Sequence, residues 1–191
     1  MPGDRTSAWT GGVPSYQAWC ERMATAGLDM EQRRTIADSY HLVREYGENA
    51  IDLHSLQLIA SHGPLHELGA GGGYVAGLLS SIGADVIASD SEPPALPWFP
   101  VKKRAYEEAN LDGRTPLLVW PYMHAPTHWL ATNPNIRKVI IVNDVAPRNL
   151  NSRGGGSYHQ ELSDNWRVVE STAVNTGWRL YTDYVHVWQR L

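Results

Sequence analysis

The chain reads as an α/β protein, a seven-stranded, mostly parallel sheet that ends in an antiparallel C-terminal hairpin, with helices ahead of it. Three observations predict this. From residue 64 onward, short apolar runs alternate with helical stretches, the pattern of a parallel sheet covered on both faces. The first run opens through a glycine-rich turn into an apolar helix. The last two runs are joined only by Asn175-Thr176-Gly177, too short for the helical crossover that a parallel pair requires. A chain of 191 residues with 42% hydrophobic and 19% charged residues suits one globular unit.

Residues 1–60 are expected to form an arm and a helical cap, and 61–191 the sheet domain. The first fourteen or so combine Pro2, Gly3, Gly11, Gly12 and Pro14 without periodicity, as a loose arm does. Tyr16, Trp19, Cys20 and Met23 then fall on one helix face, and Ile36, Tyr40, Val43 and Tyr46 repeat the pattern. A third, shorter helix is expected over 51–60, capped by Asn49 or Asp52 and ended near Gly63-Pro64. Strands are expected at 64–68, 84–89, near Val101, and at 116–120, 138–142, 166–174 and 180–188. Helices are expected at 73–82, 106–110, 124–132 and 158–163.

The bulk numbers narrow the function. The formal charge of -4 arises from 16 Lys+Arg against 20 Asp+Glu, and no basic run exceeds Lys102-Lys103-Arg104, so nucleic-acid binding is not expected. Cys20 stands alone, which removes internal disulfides and cysteine metal clusters and fits a reducing compartment. No apolar stretch approaches a bilayer span or a signal-peptide core, so a cytoplasmic protein without membrane contact is expected. His62 and His66 have ligand spacing, but Gly63-Pro64 breaks the helix that would align them, and no metal site is expected. Trp 8 and Tyr 9 against Phe 1 is an odd balance: indoles either replace Phe in the core or line a cavity for a cation.

The turn Glu67-Leu68-Gly69-Ala70-Gly71-Gly72-Gly73 carries the chemistry. Gly69, Gly71 and Gly73 let a ligand approach bare backbone at the start of a helix. A dinucleotide fingerprint would place its third glycine at Tyr74; here it comes one residue early, and an acid precedes the first glycine by two. A carboxylate such as Glu67 suits a ligand with an ammonium group, directly or through water. Asp90, about 20 residues on at the end of the next strand, stands where an acid meets ribose hydroxyls.

With Gly83-Ala84-Asp85-Val86-Ile87-Ala88-Ser89-Asp90 behind it, this segment resembles the class I methyltransferases that use S-adenosylmethionine (SAM), a Rossmann-like fold. It is similar in particular to a group of small bacterial and fungal members, which share an upstream tyrosine, matched by Glu45-Tyr46-Gly47, and a Leu-Leu-x-Trp-Pro stretch, matched by Leu117-Leu118-Val119-Trp120-Pro121-Tyr122. The resemblance spans roughly residues 46–191 and implies SAM as cofactor, with Tyr46, Glu67, Gly69, Gly71, Gly73, Asp90 and Trp120 around it. The chain departs from that group after the fifth strand, where Asn143-Asp144-Val145-Ala146-Pro147 replaces an acidic, glycine-rich turn.

In that superfamily the end of the fourth strand faces the methyl group, and amine-methylating members often carry Asp/Asn-Pro-Pro-Tyr there. Trp120-Pro121-Tyr122 puts an indole in place of the hydrogen-bond acceptor, which argues against simple amine methylation and for cation-π contact with a sulfonium. Tyr122, His124 and Asn143 are the candidate catalytic residues; His128, His159 and Asp144 are weaker ones. Methylation of a small molecule is the leading function. Two others stay open: an enzyme that cyclises SAM to azetidine-2-carboxylate or cleaves it, and a SAM-binding partner protein without catalysis.

Overall fold

The computed structural model describes residues 51–95, 97–121, 125–144, 146, 162, 165–174 and 182–191. The two helices expected ahead of residue 50, with Tyr46, lie outside this set, as does nearly all of the helix expected at 158–163. Helix α1 (Leu53–Ser61) starts at Asp52, whose carboxylate accepts from the Ser55 amide and hydroxyl, both at 2.9 Å. Such a cap answers one orphan amide of the first turn and contributes about 1 kcal/mol. Its apolar face, Leu56 and Ile59, joins Ile51 in the core under the sheet.

Seven strands follow: β1 (Leu65–Leu68), β2 (Val86–Asp90), β3 (Val101–Lys103), β4 (Thr115–Val119), β5 (Lys138–Asn143), β6 (Trp166–Val174) and β7 (Asp183–Arg190). They form one sheet in the order β3-β2-β1-β4-β5-β7-β6. β1 to β5 are parallel, whereas β7 runs antiparallel between β5 and β6. This is the mixed sheet expected, ending in an antiparallel pair. The ladder from Trp166↔Arg190 to Val174↔Asp183 shifts register between Val168 and Glu170.

Side chains are buried on both faces of the central strands, which are mostly apolar but carry the buried polar residues His66, Glu67, Ser89 and Asn143. One face packs Leu65, Leu117, Ile140, Val142, Val185 and Val187 against α1 and helix α2 (Tyr74–Ser81). The other packs Leu68, Leu118, Val139, Ile141 and Trp188 around Leu130 of helix α3 (Ala125–Thr132) and Leu162.

Two expectations need correction. The segment at 106–110 is no α-helix but a single 3-10 turn, Tyr106–Glu108, because Ala105 and Ala109 on either side are extended. β2 begins at Val86 rather than residue 84, because the chain ahead of it is committed to a turn. There Ala84 N bonds Leu79 O at 3.0 Å, and the Asp85 side chain pairs with Arg114.

Candidate functional site

The C-terminal ends of the parallel strands converge on one edge. There lie the glycine turn after β1, Asp90 closing β2, Trp120 after β4 and Asn143 closing β5. β7 runs the other way, so its first residue, Asp183, lies at the same edge.

The glycine turn is wound by three left-handed residues, Gly69 (φ 68), Gly71 (φ 53) and Gly73 (φ 71), a region that L side chains rarely adopt. The three do different jobs. A Cβ on Gly73 would lie 2.7 Å from Val101 Cγ2 and 2.9 Å from Phe99 Cβ, so this glycine makes room for the 98–101 segment. That segment is gripped by the turn itself: the Gly72 carbonyl accepts from Trp98 N at 2.6 Å, and the Trp98 ring meets Tyr74 edge-on at 5.4 Å. At Gly69 and Gly71, in contrast, an added Cβ meets nothing within 4 Å among the described residues. Two bare backbone positions thus face open space at the sheet edge, a cradle with room for a ligand against it.

Asp90 ties that cradle to β2. One carboxylate oxygen accepts from Gly71 N at 2.8 Å, and the other from Glu92 N at 2.8 Å. A carboxylate oxygen carries two lone pairs, so each retains acceptor capacity for a ligand hydroxyl. The residue is only half-buried.

Glu67 stands differently from what the sequence led us to expect. It is 2% exposed, and its Oε2 accepts from Ala76 N at 2.8 Å. Gly73, the N-cap of α2, has no side chain to do this, so Glu67 caps the helix from the neighbouring strand. Burial pushes its pKa up to about 8; the Ala76 N–H opposes this, and the negative Asp90 adds to it. At neutral pH the carboxyl is therefore largely protonated.

Trp120 adopts φ 49, left-handed backbone that for an indole-bearing residue is a true outlier. Its amide donates to Val142 O at 2.9 Å, which extends the β4–β5 ladder and holds it there. Strain of this kind costs about 1–3 kcal/mol and clusters where ligands are handled. Asn143 is fully buried at the end of β5, in register with Tyr184. Tyr122, His124 and His159 lie outside the described residues; His128 is exposed on α3 and Asp144 is exposed after β5.

The structure thus places Glu67, Gly69, Gly71, Gly73, Asp90, Trp120 and Asn143 along one sheet edge. It adds Asp183, a carboxylate only 2% exposed, which the sequence reading did not single out. Its signal was available: Asp183 is in phase with Val185 and Val187, both inward-facing, and an acid in that phase is a buried acid. His62 and His66 have separate partners. His62 meets Glu170 Oε2 at 3.1 Å, whereas buried His66 meets Ser89 Oγ at 2.9 Å, with burial lowering its pKa to about 4. Among the described residues no group of three His, Cys, Asp or Glu is arranged to hold a metal ion, and no helix is long and apolar enough to cross a membrane.

No family model matches the chain, and no curated protein matches it in sequence. Solved structures do match in shape. The 1,6-didemethyltoxoflavin-N1-methyltransferase of Burkholderia thailandensis, solved with 1,6-didemethyltoxoflavin and S-adenosylhomocysteine, is 17% identical, with 83% of this chain and 86% of that one covered at a TM-score of 0.51. The 23S rRNA methyltransferase ErmE is 15% identical, with 75% and 70% covered at a TM-score of 0.50. At such identities the likeness is one of fold: the chain has the Rossmann-like fold of these methyltransferases.

Proposed function

We propose that this chain is a SAM-dependent methyltransferase that acts on a small molecule. One observation carries the reading. Gly69 and Gly71 hold left-handed backbone open to a ligand, beside a half-buried carboxylate at the end of the adjacent strand. When bound, SAM supplies a methyl group activated by a positively charged sulfur.

In this reading Asp90 accepts hydrogen bonds from the ribose hydroxyls with the lone pairs that Gly71 and Glu92 leave unused. Gly69 and Gly71 keep side chains out of the ligand's path, and Gly73 lets the 98–101 segment pack against the turn. Glu67 holds the start of α2 and, once an ammonium group lies nearby, gives up its proton and compensates that charge. The strained Trp120 presents its indole to the sulfonium, worth about 0.5–2 kcal/mol by cation-π attraction. Residues 61–191 supply these groups, and the cap of residues 1–60 adds Tyr46. Tyr122 orients the acceptor, His124 takes its proton where one must leave, and the buried Asn143 positions the acceptor side of the site. Holding the acceptor atom in line with the methyl carbon is the larger part of the catalysis.

The net charge of -4 favours a small acceptor over RNA. One protein of similar fold is named for a small molecule and the other for rRNA, so the acceptor is a matter for experiment. Calorimetry with S-adenosylhomocysteine tests the cofactor: the native chain should bind, and both Asp90→Asn and Asp90→Ala should lose about 1.5–3 kcal/mol. No binding, or undiminished affinity in both variants, rejects the site. S-adenosylhomocysteine formed from SAM only when a small-molecule cell fraction is added, and not with RNA, supports the acceptor class. Methylthioadenosine released from SAM alone rejects methyl transfer.

A further inference from the structure

We infer that the opposite edge of the sheet carries a second site, for a small phosphorylated anion. A cleft of about 500 Å³ opens there between the 109–116 and 133–138 segments, at the N-terminal ends of β4 and β5. That volume lies in the range of small-ligand sites, about 300–1,000 Å³.

Its walls are rich in donors. Arg114, Arg137 and Lys138 line it, against Asp112 as the single carboxylate among the lining residues. Arg114 is held by Asp85 at 2.8 and 3.3 Å, which neutralises part of its charge. Arg137 is exposed and makes no ion pair among the described residues, and Lys138 Nζ lies 3.3 Å from His62 Nδ1, an imidazole whose other ring nitrogen meets Glu170 Oε2. Two asparagines add to this. Asn110 Oδ1 accepts from Asp112 N at 3.2 Å and Asn133 Oδ1 from Asn135 N at 3.1 Å, which orients each side-chain amide, and each amide also carries N–H donors. A net positive, donor-lined cleft in a chain of charge -4 selects an anion, and guanidinium and ammonium groups on its walls suit phosphate oxygens.

The cleft is also braced. Arg190 donates to the carbonyls of Leu130, Ala131, Asn133 and Ile136 at 2.8–3.0 Å while stacked 4.6 Å from the Trp166 ring centroid, which fixes the turn that carries Arg137. On the facing wall Arg114 reaches Leu65 O at 3.3 Å, and the tight turn through Asp112 (φ 47) and Gly113 (φ 78) fixes the loop. Because the three cations are scattered at 114, 137 and 138, no basic run in the sequence announces them.

Calorimetry with inorganic pyrophosphate at low ionic strength tests the proposal, with S-adenosylhomocysteine titrated into the same samples. The native chain should bind pyrophosphate saturably at one site. Arg137→Ala and Lys138→Ala should each weaken this about tenfold or more, the loss of a charge-assisted hydrogen bond, and Asp112→Asn should strengthen it. S-adenosylhomocysteine affinity should be unchanged in all three, so the two sites fail or survive separately. No saturable binding, or equal affinity in native and Arg137→Ala protein, overturns the site. A single-stranded RNA that displaces pyrophosphate at lower concentration than ATP does would reassign the cleft to a polynucleotide and overturn the small-molecule reading.

Discussion

Alanine placed at Gly71 and at Gly73, one at a time, separates the two jobs of the glycine turn. Both positions are left-handed, at φ 53 and 71, so either alanine incurs about 1–2 kcal/mol of backbone strain, partly offset by the lower entropy of the unfolded chain. At Gly71 nothing else among the described residues opposes the methyl group, since none of their atoms outside the turn lies within 4 Å of its position. At Gly73 the methyl would sit 2.7 Å from Val101 Cγ2 and 2.9 Å from Phe99 Cβ, well inside contact distance. Overpacking of this kind adds about 1–3 kcal/mol. Gly73→Ala should therefore destabilise by about 2–4 kcal/mol and Gly71→Ala by about 1 kcal/mol in urea unfolding, with unchanged denaturant slopes. Ligand affinity should run the other way, because the Gly71 methyl enters the cradle itself: S-adenosylhomocysteine binding should fall at least tenfold in a variant that stays folded. Equal destabilisation by the two alanines would refute the packing argument. Undiminished ligand affinity in Gly71→Ala would refute the cradle.

Two further predictions concern charge. The folded-state pKa of Glu67, about 8, is raised above its ordinary value of 4.5, so the folded chain holds this proton more tightly than the unfolded one. The group's contribution to stability is thus fully present below pH 4.5 and is lost as pH rises toward 8; Glu67→Gln, which keeps an acceptor for Ala76 N, should flatten the native chain's decline over that window in urea unfolding. If the two profiles run parallel, the buried carboxyl is ionised throughout. The same proton should be released when a cationic ligand binds at pH 7, seen as a binding heat that changes with the ionisation enthalpy of the buffer, and a heat independent of buffer would contradict it. Trp120→Ala should lose more affinity for SAM than for S-adenosylhomocysteine, whose sulfur is neutral, and equal losses would reject the cation-π role.

The parts legible in sequence were those set by local pattern. β6 was located at 166–174 as one of the short apolar runs, and the glycine spacing located the turn and the acid that follows it. What escaped was set by partners distant in sequence. Nothing in Glu67-Leu68-Gly69 says that the carboxylate will be taken up by Ala76 N, because that depends on the angle at which α2 leaves the turn. The left-handed backbone of Trp120 has no sequence signature either, since indole residues are not found there by preference; the ladder bond to Val142 imposes it. The 106–108 turn was read as a longer helix because its composition suits one, yet only three residues lie between the extended Ala105 and Ala109.

The place of β7 between β5 and β6 has a consequence for how the chain comes together. β6 is made before β7, yet among the described residues it pairs with no other strand, so when β6 leaves the ribosome it has no strand to join. Until β7 arrives, the five parallel strands end in the bare edge of β5, with the backbone N–H and C=O groups of 138–143 that face β7 unpaired. An edge of that kind is an invitation to pair with another chain. One late strand thus closes the sheet, recruits β6 and removes the hazard in the same step, so substitutions that delay β7 should show first as aggregation during synthesis.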